Sequence, residues 1–91
     1  MTYEILPYSY EKAKLLGVQI KPSNRKNKKI DVFKDGKYLY SIGDNRYLDF
    51  PNYVKKFGLT YANEKRNAYW SRHHKENIPN TRGWYSLHIL W

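Results

Sequence analysis

An Asp35-Gly36 pair separates two runs rich in β-branched and aromatic residues, Lys29–Lys34 and Lys37–Ile42. A two-residue Asp-Gly loop between such runs selects a type I′ hairpin, because both turn residues need positive φ and these two tolerate it. The turn sets the register. Lys34 faces Lys37, Phe33 faces Tyr38, Val32 faces Leu39 and Asp31 faces Tyr40. Side chains alternate across a strand, so Ile30, Val32 and Leu39 share one face, and Asp31, Phe33, Tyr38, Tyr40 and Ile42 share the other. The aliphatic face is the candidate core. The aromatic face either packs under a helix or forms an open stacking platform.

The flanks read as helices and one further strand. Ser9 suits a helix N-cap, Glu11 suits the positive end of the dipole, and Gly17 suits a left-handed C-cap, with Tyr10–Leu16 helical between them. Val18 and Ile20 alternate with Gln19 as a short strand. Gly43, Asp44 and Asn45 make a turn. Asp49 can cap a helix whose first turn holds Pro51, where no amide proton is needed, and Gly58 ends it. Thr60 caps the longest helix, from Tyr61 to about Lys75. Pro79 keeps Ile78–Gly83 out of helix. Trp84–Trp91 is apolar to its last residue and should dock on the core, as strand or helical turn.

Ninety-one residues suffice for one modest core. The expected architecture is therefore a single α+β domain over residues 1–91. In it a β-hairpin, or a three-stranded antiparallel sheet, packs against two or three helices.

Charge narrows the function. Seventeen Lys and Arg stand against 8 Asp and Glu, a formal net charge of +9, and the apolar share leans on 10 Tyr, 3 Trp and 3 Phe. Such a charge on so small a body concentrates polyanions around it: DNA, RNA, an anionic membrane face or an acidic protein. No apolar run approaches the roughly 20 residues of a membrane span. The first residues lack the basic start and long apolar stretch of a signal peptide. With no cysteine, disulfides and thiolate zinc sites are excluded. The expectation is a soluble protein, intracellular or carried inside a particle, without a membrane partner.

Two segments carry the charge. Lys21–Lys29 holds five cations in nine residues and reads as a loop or arm. Arg25, Lys26, Lys28 and Lys29 can neutralise phosphates and release condensed counterions, which gives affinity without sequence choice. In the long helix, Lys65, Arg66, Arg72 and His73 interleave with Tyr61, Ala62 and Tyr69 on one half of the cylinder at 100° per residue. Tyr38, Tyr40 and Trp70 offer rings for stacking or for packing on sugar. The plainer alternatives are a solvated loop and basic stems snorkelling around a core helix. The pattern points to largely sequence-independent binding of nucleic acid, DNA favoured over RNA. A second possibility is an assembly protein that meets an acidic protein surface, anchored by Trp84, Tyr85 and Trp91.

Catalysis has little to build on. His73 and His74 point about 100° apart on a helix and cannot share a metal from one face. The glycines make no phosphate-cradling loop, and nothing calls for a cofactor. A minimal metal-dependent nuclease would need Asp31, Asp44 and Asp49 to converge in space. The expectation is a non-enzymatic protein with no catalytic and no metal-binding residues.

Several runs also carry a resemblance: Lys29-Ile30-Asp31-Val32-Phe33-Lys34-Asp35-Gly36-Lys37, Ser41-Ile42-Gly43, Asp49-Phe50-Pro51-Asn52-Tyr53, Tyr61-Ala62-Asn63-Glu64-Lys65-Arg66, Arg72-His73 and Ile89-Leu90-Trp91. Over most of the chain after Gly17, the sequence resembles a group of short basic proteins encoded by large double-stranded DNA viruses. The resemblance implies a viral origin, and with it a role in genome compaction or processing, or a place in the virion, where the acidic protein surface would be a capsid. It brings no active-site residues.

Overall fold

The computed structural model describes residues 2–91. The hairpin forms as its turn requires: Asp35 and Gly36 both take positive φ, +51° and +78°. Strand β2 (Lys28–Lys34) pairs with β3 (Lys37–Asp44), and β1 (Gln19–Pro22) adds to the other edge of β2, giving an antiparallel sheet in the order β1-β2-β3. Pro22 sits on the edge strand β1, where a missing amide donor is tolerated.

The register follows the sequence expectation only for the pairs next to the turn, Lys34 with Lys37 and Phe33 with Tyr38. A bulge then shifts it, so that Val32 faces Tyr40, Asp31 faces Ser41 and Ile30 faces Ile42. One extra residue on a strand transfers every later side chain to the opposite face. Ile42 and Tyr40 therefore leave the expected aromatic face. Ile42 is buried with Ile30 and Val32, and Tyr40 packs against the same core. Phe33 and Tyr38 stay outside, in edge-to-face contact at 5.9 Å.

Helices α1 (Pro7–Leu16) and α4 (Arg82–Leu90) cover the inner face. Ile5, Ala13, Tyr85, Ile89 and Leu90 meet Val18, Ile20, Ile30, Val32 and Ile42 in one core. The start of α1 differs from expectation. Pro7 opens the helix, and Ser9 lies buried within it, donating its hydroxyl proton to the Ile89 carbonyl at 2.9 Å. Gly17 closes α1 in the left-handed conformation as expected. The C-terminal segment is helical because the Thr81 hydroxyl accepts from the Trp84 amide and Tyr85, Leu87, Ile89 and Leu90 all find the core.

The other two helices form a hairpin at the end of the sheet. Asp49 caps α2 (Phe50–Phe57) by accepting the Asn52 amide proton, as its sequence context predicts. Gly58, at φ +90°, joins α2 directly to α3 (Leu59–His73), so the longer helix starts two residues earlier than Thr60 suggested. A short 3₁₀ turn, His74–Glu76, continues from α3. Among the described residues no helix is long and apolar enough to cross a membrane.

Candidate nucleic-acid interface

The basic stretch is a hairpin tip rather than a free arm. Lys21 and Pro22 belong to β1, Lys28 and Lys29 to β2, and only 23–27 make the connection. The buried Ser23 fixes it: its amide donates to the Lys29 carbonyl at 3.0 Å and its hydroxyl accepts the Arg25 amide proton at 3.0 Å. Arg25, Lys26 and Lys28 project from this tip; Arg25 and Lys26 are exposed.

Lys29, expected among the phosphate ligands, points the other way. It is 4% exposed and its Nζ lies 2.8 Å from Oδ2 of Asp49, itself fully buried. Tyr3 donates to the same oxygen at 2.6 Å, and the Asn52 side-chain amide donates to Oδ1 at 2.9 Å. Every polar atom of the pair is satisfied, as a buried charge requires. Burial and the neighbouring Asp49 carboxylate push the Tyr3 phenol well above its ordinary value.

The segment after β3 connects the two basic regions. The Asn45 amide donates to the Asn27 carbonyl at 3.1 Å, which holds this segment against the hairpin tip. On its other side a cleft of about 370 Å³ separates Gly43, Asp44 and Tyr47 from Tyr69, Arg72 and His73 of α3. Tyr69 stacks on Trp91 at 4.1 Å with 8° between the ring planes, and also on His73 at 4.1 Å. The row continues from Trp91 to Tyr53, and from Tyr53 to Phe57 and Tyr61. Burial raises the Tyr69 phenol above its ordinary value.

Electrostatics at this end favour an anion. Asp44 is clamped by Arg46, whose Nε and Nη2 donate to it at 3.0 and 2.7 Å. Those hydrogen bonds lower its carboxyl to about 2. Glu76 is engaged by the His73 ring. Among the described residues, Arg25, Lys26 and Arg72 form no salt bridge, and Lys28 faces Asp44 across the strand pair without direct contact.

The other expected site residues divide between two surfaces. Lys65 lies two turns before Arg72 on the same flank of α3, about 10 Å away, with its ammonium 5.3 Å from the Tyr61 ring. Arg66 is half-buried, its guanidinium 4.3 Å from the Phe50 ring. Trp70 packs edge-on against His88 at 5.3 Å and is not a free stacking surface. Tyr40 lies against Tyr85, so it too is occupied. Tyr38 stays on the outer sheet face, with the Arg25 guanidinium 4.7 Å from its ring. Tyr85 is buried in the core, and Trp84 and Trp91 pack partly buried against it, so the C-terminal segment docks as its apolar sequence predicts.

Sequence reasoning missed Tyr47, Arg46 and the Tyr69–Trp91 stack. The only local hint was a pair of large polar side chains beside the Gly43–Asn45 turn signal. Nor do the three aspartates converge. Asp31 accepts from Ser41 on the outer sheet face, Asp44 holds Arg46 and Asp49 holds Lys29. Among the described residues no three His, Asp or Glu gather into a metal site. No family model matches the chain, and no curated protein or solved structure matches it significantly.

Proposed function

We propose that this protein binds nucleic acid through phosphates, with little regard to sequence, in the infected cell or the virion that its viral resemblance implies. One observation carries the reading. Lys26 and Lys28 on the hairpin tip and Arg72 on α3 flank the same 44–47 turn from opposite sides, while Arg25 lies over the Tyr38 ring beside the tip. Stretches some forty residues apart in sequence thus adjoin one turn, which supports reading their charge as a single electropositive end with rings beside the cations. Lys65 extends the charge along the flank of α3. Phosphate contacts of this kind position a strand without reading its bases. The reading needs no catalytic step and favours DNA over RNA only weakly.

Fluorescence anisotropy with a labelled oligonucleotide, repeated at rising salt, tests it. Binding at low salt that weakens linearly in log–log form is expected. Absence of binding to DNA and RNA at low salt removes the proposal.

A further inference from the structure

We propose that the cleft between the 44–47 turn and α3 receives a single unstacked nucleobase, so that the protein selects single-stranded over duplex nucleic acid. The inference rests on the phosphate-binding reading and deepens it. At about 370 Å³ the cleft falls at the small end of the range for ligand sites. It has room for one base with its sugar, and a base paired within a duplex would have to leave its stack to enter. Its walls suit a base. Tyr69 is held in place by stacking on Trp91 and on His73, so one wall of the cleft is rigid, and the stacking face is left to Tyr47. Tyr47 stands across the opening, 69% exposed, and among the described residues it makes no ring–ring contact. A flat ring entering the cleft would give Tyr47 the partner it lacks. Arg72 shares this cleft, and Lys28 lies beside Asp44 at its edge. These two cations can meet the phosphates of a strand whose base enters the cleft, while the Asp44 carboxylate there is already engaged by Arg46. A π-face is common to every base, so this site would tolerate any sequence.

The test uses the full chain and oligonucleotides that carry one 2-aminopurine, whose fluorescence is quenched on stacking. The wild type should bind a single strand more tightly than the matching duplex and quench the probe. Tyr47→Ala should lose about tenfold in single-strand affinity and most of the quench, with duplex affinity nearly unchanged, and Tyr47→Phe should retain both. Tyr47 is exposed, so its truncation leaves the fold intact, and circular dichroism verifies this. Equal or tighter duplex binding, or a quench that survives Tyr47→Ala, overturns the base site and leaves phosphate binding standing. Failure to bind either form overturns both.

Discussion

Lys29 and Asp49 meet at 2.8 Å with almost no exposure, joining the central strand to the cap of α2. The same carboxylate caps a helix, receives the Tyr3 phenol and neutralises a lysine. The N-terminal segment, the sheet and the helical hairpin are therefore held through one side chain. This network positions the cleft, because Lys29 and the adjoining Gly43 both line it.

Removing one member of this pair leaves an uncompensated buried charge. Lys29→Met is expected to destabilise the fold by about 3–5 kcal/mol, measured by urea unfolding. Adding Asp49→Asn should cost less than the sum of the single changes, since the buried charge is then gone. A Lys29→Met loss under 1 kcal/mol would show the pair to be incidental.

Gly43 has two reasons to be glycine. Its φ is +78°, and a Cβ there would lie 2.7 Å from Leu90 and 2.9 Å from Lys29. Gly17 shares the positive φ but faces open space. Gly43→Ala should therefore cost about 1–3 kcal/mol more than Gly17→Ala, read from paired unfolding curves.

Tyr3 makes stability sensitive to alkali. Its folded-state value is raised above the ordinary 10.0. Below pH 10 the phenol is protonated in both states and the contribution is complete. Above pH 10 the unfolded chain ionises while the folded one resists, so stability falls as pH rises. Tyr3→Phe should flatten this decline while lowering stability at neutral pH by about 1.5–3 kcal/mol through the lost hydrogen bond to Asp49. Equal alkaline slopes in both proteins would contradict the assignment.

Asp44 is the one carboxylate on the 44–47 turn. Held near 2 by Arg46, it stays ionised at any practical binding pH, so substitution rather than acid must remove its charge. Asp44→Asn frees Arg46 and should raise oligonucleotide affinity about two- to fivefold at low salt, with the gain fading as salt screens it. Unchanged affinity would place the bound strand elsewhere.

What the sequence disclosed was local. Asp35-Gly36, the Gly17 cap, and Asp49 three residues before the amide it accepts are patterns within one turn of chain, and each forms as read. Features depending on distant partners were hidden. The bulge that moves Tyr40 and Ile42 to the core face obeys packing against Tyr85 and α4, not the turn that precedes it. Ser9 looks like a cap until Ile89, eighty residues away, supplies its acceptor. Lys29 is indistinguishable from Lys28 in sequence, and strand alternation would leave it on the outer face with Asp31 and Phe33; only the distant Tyr3 and Asp49 side chains bury it. At the candidate site, the cations were legible from charge density, whereas the cleft and its aromatic wall appear only once Trp91 folds back onto Tyr69.

The convergence of hairpin tip and α3 on a single strand of nucleic acid is tested most directly by the salt dependence of binding in a Lys28→Gln/Arg72→Gln variant. If both side chains touch phosphates, the slope of log affinity against log salt should shrink by about 1.4 for single strands or 1.8 for duplex, whereas an Arg66→Gln control should keep the wild-type slope. A double variant with the wild-type slope would contradict a shared phosphate-binding surface.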